Sequence, residues 1–116
     1  MGEIVVRNEA EMKEAVGSFA GQMVFIFATM RVSCRPCTAI APTYTRLAAE
    51  ITAHTDQIMF LKFDVTEATD LAWKFSVSAT PTFFCLLENS EKARLNGGAS
   101  ERLLVKWVKE QTQHLE

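Results

Sequence analysis

An unbroken apolar run, Met23–Thr29, constrains the fold of this chain more than any other stretch of its sequence. A strand with one face in water alternates apolar and polar side chains, whereas a strand buried on both faces reads as a continuous apolar stretch. Because both faces of such a strand must be covered, its sheet needs a layer on each side, and helices supply that layer in α/β proteins. The run therefore predicts a central strand of a helix-covered sheet.

Helical and extended patterns alternate with short breaks along the chain. Periodicity and turn residues predict, in chain order, strand Ile4–Arg7, helix Glu9–Phe19, strand Met23–Thr29, a long helix from the cysteines to about His54, strand Ile58–Asp64, helix Ala68–Phe75, strands Thr82–Glu88 and Lys92–Asn96 around a turn at Asn89-Ser90, and helix Ser100–Thr112. This order predicts an α/β protein with a central mixed sheet of about five strands, flanked by four helices on its two faces.

Helical spacing also predicts which side chains face the core. The expected core-facing residues are Met12, Ala15, Val16 and Phe19 in the first helix, Ile40, Tyr44, Leu47 and Ile51 in the long helix, and Leu103, Leu104, Trp107 and Val108 in the last one. Trp73 and Trp107 both lie on apolar helical faces, so we expect both rings in the core. Ser100 has a side chain typical of an N-cap and should begin the last helix.

The segment Cys34-Arg35-Pro36-Cys37 is the main candidate for chemistry. Two thiols three residues apart lie on one turn of a helix, close enough either to form a disulfide or to share a metal ion. Pro36 lacks a backbone N–H and has a preset φ, so it suits the first turn of a helix and puts Cys34 at the helix N-terminus. Exposed amides and the helix dipole favour a thiolate there, and Arg35 adds a positive charge. We interpret the pair as a redox-active dithiol.

The composition argues against several functional classes. With 116 residues, we expect one domain that spans residues 1–116. The formal net charge of −2 argues against nucleic acid or an anionic membrane as a partner, because both attract basic surfaces. Three cysteines are too few for a disulfide scaffold, no apolar run approaches the ~20 residues of a membrane span, and no secretory signal is visible. We therefore expect a cytoplasmic protein in a reducing compartment.

Three segments carry a resemblance to a known family. They are the dithiol segment followed by Ile40 and Pro42, the stretch from Asp64-Val65 to the loop Val77-Ser78-Ala79-Thr80-Pro81-Thr82-Phe83, and the turn Gly97-Gly98-Ala99-Ser100. In this order and at this spacing they resemble the thioredoxin family, and the likeness covers nearly all of the chain. The resemblance implies the thioredoxin fold.

The resemblance also implies a mechanism and a site. Cys34 attacks a disulfide in a partner protein, and Cys37 then resolves the mixed disulfide, which leaves an oxidised Cys34–Cys37 pair. The residues implied in substrate binding are Arg35, Pro36, Thr80, Pro81, Gly97 and Gly98, with a cis Thr80–Pro81 peptide beside the cysteines. No bound cofactor is implied, since NADPH supplies the reducing equivalents through a thioredoxin reductase. We expect a monomer whose partners are that reductase and disulfide-containing proteins.

Two departures from the family pattern bear on this mechanism. Thioredoxins usually carry Trp immediately before the first cysteine, but here that residue is Ser33, and the loop Met30-Arg31-Val32-Ser33 makes the connection about three residues longer. The loop is either a tolerated insertion or a partner-selecting element. The family also buries an aspartate on the central strand, whereas nothing from Met23 to Met30 is ionisable. Resolution by Cys37 must then use water or another base, which leaves a weak or specialised activity open.

Each assignment has an alternative that the sequence leaves open. The cysteine pair is compatible with zinc, but zinc needs four ligands and the rest of the chain offers only Cys85, His54 and His114. Cys85 is interpreted as a small buried hydrophobe, with a third redox thiol as the alternative. Arg35 is either an activating charge or a solvated one. Beside a protein-disulfide reductase, the chain as a whole fits a redox-sensitive adaptor or, in an oxidising compartment, a disulfide-forming oxidase or isomerase.

Overall fold

The computed structural model describes residues 2–113 and residue 115. Its elements, in chain order, are β1 (Glu3–Val5), α1 (Glu9–Gly17), β2 (Met23–Thr29), α2 (Arg35–Thr52), β3 (Ile58–Asp64), α3 (Thr69–Lys74), β4 (Thr82–Leu87), β5 (Ser90–Asn96) and α4 (Glu101–Thr112). The predicted order of five strands and four helices is confirmed. β2 and β3 have the predicted bounds, and the other elements differ from prediction by one or two residues at their ends.

The strands form one mixed sheet in the order β1-β3-β2-β4-β5, with β2 at its centre. β1, β3 and β2 run parallel, while β4 pairs antiparallel with β2, and β5 antiparallel with β4. Every residue of β2 is buried, which confirms the prediction of a strand covered on both faces. Because β2 and β3 run in register until Thr29 lies opposite Asp64, their carboxyl ends meet at one edge of the sheet. The loop that leads to Cys34 begins at this edge.

Side chains of β2 alternate between two core layers on opposite faces of the sheet. On one face, Phe25 and Phe27 pack in a layer with Tyr44 of α2 and Trp107 of α4. On the other face, Ile26 packs in a layer with residues of α1 and α3. The first layer, here called the aromatic layer, supports α2 and thereby its first turn, which carries the cysteines. In residues 2–113, no helix is both long and apolar enough to cross a membrane.

Local sequence explains how two of the elements begin. The β4–β5 hairpin turns at Glu88 and Asn89, which have φ values of 51° and 71°, the left-handed pair typical of a two-residue hairpin turn. The turn predicted at Asn89-Ser90 is therefore one residue too late, since Ser90 already belongs to β5. Ser100 caps α4, as predicted, because its hydroxyl oxygen accepts a hydrogen bond from the Leu103 N–H at 3.1 Å.

Two apolar side chains predicted for the core are exposed instead. Trp73 is 88% exposed, so its prediction was wrong. Leu71 takes the buried position of the short α3. Trp73 follows two residues later, about 200° around the helix, and therefore points away from the core. Leu103 is also exposed, because the buried stripe of α4 centres on Leu104 and leaves its neighbour at the edge. The other predicted core-facing residues of the three long helices are buried or half-buried.

Candidate active site

Cys34 is the N-cap residue of α2, directly after the loop 30–33. Its backbone is extended, and its sulfur accepts a hydrogen bond from the Cys37 N–H at 3.3 Å. Pro36 lies in the first turn, where a missing N–H costs no helical hydrogen bond. The predicted location of Cys34 at a helix N-terminus is therefore confirmed. Unpaired amides and the helix dipole stabilise a thiolate at such a position.

The two cysteines of the motif form a disulfide with each other, and their Cα atoms are 5.3 Å apart. Cys34 is 8% exposed and Cys37 only 1%, so Cys37 lies deeper. An external disulfide can therefore reach the sulfur of Cys34 more readily than that of Cys37. Arg35, between them, is exposed to solvent, and its activating role stays a prediction.

The loop before β4 faces the first turn of α2. The Thr80 hydroxyl donates a hydrogen bond to the Cys34 Sγ at 3.5 Å, and the Thr80 carbonyl oxygen lies 3.7 Å from the same sulfur. The peptide between Thr80 and Pro81 is cis, as the resemblance implied. The backbone that precedes Pro81 is thus within reach of anything bound at Cys34.

The turn Gly97-Gly98 closes the other side of the site. The Gly97 N–H donates a hydrogen bond to the Pro81 carbonyl at 3.1 Å, and the φ of Gly97 is +78°, a conformation that residues with side chains rarely adopt. A Cβ on Gly98 would lie 3.7 Å from the Cβ of Pro36, so this turn approaches the first turn of α2. The fold therefore brings Pro36, Pro81, Gly97 and Gly98 together around the cysteines, while their part in substrate binding stays a prediction.

Asp64 anchors the loop 30–33, a role that the sequence did not reveal. Its buried carboxylate accepts a hydrogen bond from the Arg31 N–H at 2.9 Å, and the Arg31 Nε lies 3.7 Å away. The Thr66 N–H donates to the other carboxylate oxygen at 2.8 Å. Burial raises the pKa of Asp64, but hydrogen bonds from Thr66 and Arg31 outweigh burial, and the pKa lies below its ordinary value. The contact depends on the parallel register that puts Asp64 opposite Thr29, and no local sequence pattern indicates that register.

The core of the described chain offers no evident base for the resolving step. Its fully buried polar residues are Thr29, Thr43, Asp64 and Thr82, of which only Asp64 is acidic, and that carboxylate is engaged with the loop 30–33. The half-buried Glu3 has one carboxylate oxygen that is enclosed without a hydrogen-bond partner among the described residues, while the other lies 2.6 Å from the Thr45 hydroxyl and 3.4 Å from the Lys62 Nζ. In the aromatic layer, the Tyr44 hydroxyl donates to the Leu61 carbonyl at 2.6 Å. Burial, with a smaller contribution from Glu3, raises the pKa of Tyr44 well above its ordinary value, so this phenol stays protonated at neutral pH.

Cys85, the third cysteine, is fully buried in β4. Burial raises the pKa of its thiol, which makes it a poor nucleophile and agrees with the interpretation as a small hydrophobe. Among the described residues, no three His, Cys, Asp or Glu side chains are grouped so that they could hold a metal ion. His54 is exposed, and His114 lies outside the described residues.

Comparison with known proteins places this site in a family. The family model described as Thioredoxin matches residues 3–110. Protein disulfide isomerase-like 1-4 of Oryza sativa subsp. japonica is 30% identical over 105 residues, which make up 90% of this chain and 18% of that protein. Thioredoxin H3 of Arabidopsis thaliana is 37% identical over 79 residues, or 68% of this chain and 64% of that protein. The chain thus spans only a minor part of the isomerase and slightly less than two-thirds of the plant thioredoxin.

Solved structures share the fold over nearly the whole chain. The thioredoxin of Fasciola hepatica matches with a TM-score of 0.79 at 28% identity, covering 91% of this chain and 96% of that one. The thioredoxin of Schistosoma mansoni, at 21% identity, has a TM-score of 0.78 and covers 94% of each chain, which shows the fold. The thioredoxin fold implied by the resemblance is therefore confirmed. With the family model matched over residues 3–110 and a dithiol at the start of α2, the chain belongs to the thioredoxin family.

Proposed function

We propose that this chain is a protein-disulfide reductase with Cys34 as the attacking thiol and Cys37 as the resolving thiol. One arrangement carries the proposal: the sulfur of Cys34 caps a helix N-terminus and accepts hydrogen bonds from the Cys37 N–H and the Thr80 hydroxyl. Such donors stabilise a thiolate, and the thiolate is the attacking species in disulfide exchange. Thioredoxins and protein disulfide isomerases among the relatives support this function.

Reduction takes two exchange steps. The Cys34 thiolate attacks one sulfur of the substrate disulfide, which forms a Cys34–substrate disulfide and releases the other substrate sulfur as a thiolate. Cys37 then loses its proton and attacks the Cys34 sulfur, which closes the Cys34–Cys37 disulfide and releases the second substrate thiolate. Both released thiolates take up protons. The substrate has then gained the two electrons and two protons that the dithiol has lost.

An extended segment of the substrate would pair with the backbone beside the dithiol. The Thr80 N–H donates no backbone hydrogen bond within the described residues, and its carbonyl lies next to the Cys34 sulfur. Both groups are thus available for strand-like pairing. Gly97 and Gly98 leave room for a close approach of the substrate backbone on the far side of the site. Arg35 and Pro36, both exposed, complete the proposed contact surface.

Family membership supports the remaining parts of the proposal. An NADPH-dependent thioredoxin reductase restores the dithiol, and the chain itself binds no cofactor. The chain acts as a cytoplasmic monomer in electron transport to disulfide-containing proteins and in redox homeostasis. Its formal net charge of −2 favours protein partners over nucleic acid or an anionic membrane.

A second candidate, a redox-sensitive adaptor with weak or no turnover, is favoured by a different observation. Asp64, the only acid among the fully buried residues of the described chain, is held by the loop 30–33, and the largely buried carboxylate of Glu3 is engaged with Thr45 and Lys62. Neither carboxylate contacts Cys37. A slow resolving step would lengthen the lifetime of the mixed disulfide with a partner. The covalent exchange intermediate would then persist as a complex of the two proteins.

Insulin reduction distinguishes these two functions. We expect the wild-type chain to turn over insulin with NADPH and a thioredoxin reductase, and also with dithiothreitol, which removes any dependence on the chosen reductase. Cys34→Ser and Cys37→Ser should both abolish turnover, while Cys85→Ala serves as a thiol-deletion control and should retain it. Negligible wild-type turnover in both assays, with Cys34 still reactive, would select the adaptor. Insulin reduction by Cys34→Ser would overturn the assignment of the attacking thiol.

A further inference from the structure

A groove of about 660 Å³ lies beside the loop before β4. Its walls include Val65, directly after β3, Ala72 and Trp73 of α3, and Val77 and Ser78 of the loop, and we call it the α3 groove. The indole of Trp73 is the most exposed large apolar side chain in the described part of the chain. An indole in water leaves a large apolar area uncovered, and contact with a partner side chain would remove that area from water.

The α3 groove is continuous with the dithiol site. Ser78 lies two residues before Thr80, a distance of about 7 Å in extended chain, and the Thr80 carbonyl is 3.7 Å from the Cys34 sulfur. On the opposite wall, Val65 follows Asp64, whose carboxylate holds the loop that ends at Cys34. A substrate segment that pairs with Thr80 would therefore enter the groove within about four residues of its attacked cysteine.

The chemistry of the walls sets what the α3 groove can accept. None of its lining side chains is charged, and their polar groups are the hydroxyls of Thr69, Ser76 and Ser78 and the indole N–H of Trp73. A charged side chain placed there would lose hydration without meeting an opposite charge. An apolar side chain would gain contact with an indole and two valines. The groove therefore favours an apolar side chain of the substrate over a charged one.

Trp73 is presented by a helix that is held in place. Leu71 is fully buried, the Val77 N–H donates to the Ala72 carbonyl at 2.9 Å, and the Lys74 Nζ lies 2.6 Å from the Glu9 Oε2 on α1. A contact on such a pre-organised element costs less conformational entropy than one on a mobile loop. Trp is also the side chain most enriched among residues that dominate binding energy at interfaces.

We propose that Trp73 determines substrate specificity by packing against an apolar side chain within about four residues of the attacked cysteine. The occupant of the α3 groove is thus the polypeptide segment of a disulfide-containing substrate protein. This inference rests on the proposed reductase function and names the class of disulfide that the reductase selects.

Two synthetic peptides test this specificity. Each carries one intramolecular disulfide, flanked on both sides by three leucines in the first peptide and by three serines in the second. Trp73→Ala should lower kcat/KM for the leucine peptide about tenfold, mainly through KM, which corresponds to about 1.4 kcal/mol. The same variant should leave kcat/KM unchanged for the serine peptide and for bis(2-hydroxyethyl) disulfide. Trp73→Phe should retain most of the preference, and Val5→Ala, which removes an exposed apolar side chain of β1, should have no effect.

Fluorescence gives a second readout that does not depend on turnover. In Cys37→Ser, a peptide can be joined to Cys34 through a mixed disulfide, and the difference spectrum against the same variant with Trp73→Phe isolates the Trp73 emission from that of Trp107. We expect a blue shift with the leucine peptide and none with the serine peptide. If the groove bound a second copy of the chain, the unmodified wild type would self-associate and Trp73→Ala would not. We expect sedimentation to show no such association that depends on Trp73.

The outcomes separate this inference from the proposed function. Normal reduction of both peptides by Trp73→Ala, with no blue shift, overturns the specificity role and leaves the reductase function standing. If Trp73→Ala lowers kcat/KM equally for the two peptides and for bis(2-hydroxyethyl) disulfide, the role of Trp73 is structural, and the specificity role is again overturned. A dimer that depends on Trp73 assigns the groove to a second copy of the chain instead. Failure of the wild-type chain to reduce any of the three disulfides, with the blue shift retained, contradicts turnover but supports the docking contact.

Discussion

Cys34, Cys37 and Cys85 lie in three different environments within one small chain. Cys34 caps a helix near the surface, Cys37 is buried behind it, and Cys85 is enclosed in β4, where burial raises the pKa of its thiol. After reduction, we expect iodoacetamide near neutral pH to label Cys34 about tenfold faster than the other two, because alkylation needs both a thiolate and access. Mass spectrometry of singly labelled protein gives the order. Labelling of Cys37 or Cys85 first would contradict the roles assigned to them.

The Thr80 hydroxyl is the only side-chain donor to the Cys34 sulfur among the described residues. Thr80→Val keeps the shape of the side chain and removes this donor. A hydrogen bond to a charged group contributes about 1.5–3 kcal/mol, so we expect the midpoint of the pH dependence of Cys34 alkylation to move up by about one pH unit or more. Thr112→Val, which removes a hydroxyl bonded only within α4, is the control. The same midpoint for wild type and Thr80→Val would show that the hydroxyl does not stabilise the thiolate.

At the scale of elements, one carboxylate joins the end of β3 to the loop after β2. The pKa of Asp64 lies below its ordinary value of 3.8 because hydrogen bonds to the carboxylate outweigh the opposing effect of burial. The ionised group therefore stabilises the fold above that value, and this stabilisation is lost as the pH falls through the lowered folded-state pKa. Asp64→Asn should lower the free energy of unfolding by about 1–3 kcal/mol at pH 7. The difference from wild type should shrink below about pH 4.

Urea denaturation from pH 3 to pH 7 measures this difference. Glu67→Gln, which removes a nearby exposed carboxylate, is the matched control and should change stability by less than about 0.5 kcal/mol. If the free energies of unfolding of wild type and Asp64→Asn differ by the same amount at pH 3 and pH 7, the charge of Asp64 does not contribute to stability.

Elements differ in how far the sequence predicts them, and the reason is physical. β2 and β3 are predicted with their bounds because each is a buried run that ends where the polarity changes. α3 has six residues, fewer than two turns, so its periodicity is too short to assign a buried face. Its orientation follows from Leu71 filling the core, which leaves Trp73 outside.

The site is likewise predictable only in part. The dithiol, its place at a helix N-terminus and the loop at Pro81 follow from local residues and from the family resemblance. The contact between Asp64 and Arg31 depends on the register between two strands that are far apart in sequence. A local pattern carries no information about such a register until the sheet is built.

In the whole molecule, the aromatic layer connects stability with chemistry. Phe25 stacks on Phe60 with ring centroids 5.0 Å apart, and Phe27 stacks on Phe83 at 4.6 Å, both under α2. This layer buries one face of the apolar run that specifies the central strand. The family resemblance implies an acid on the central strand, whereas no residue of β2 in this chain is ionisable. The feature that determines the fold therefore limits the resolving step as well.

Without an internal base, Cys37 must lose its proton to the solvent before it attacks the Cys34 sulfur. The release of a small peptide from a preformed mixed disulfide with Cys34 should then accelerate about tenfold per pH unit between pH 6 and pH 8, because the rate follows the hydroxide concentration. Acid quenching followed by chromatography of the released peptide measures the rate, and Cys37→Ser, which cannot resolve, gives the background. An ionised carboxylate in reach of Cys37 would instead act as a general base at every pH in this range. A rate that is flat from pH 6 to pH 8 would therefore reveal such a base and contradict a resolving step that depends on solvent.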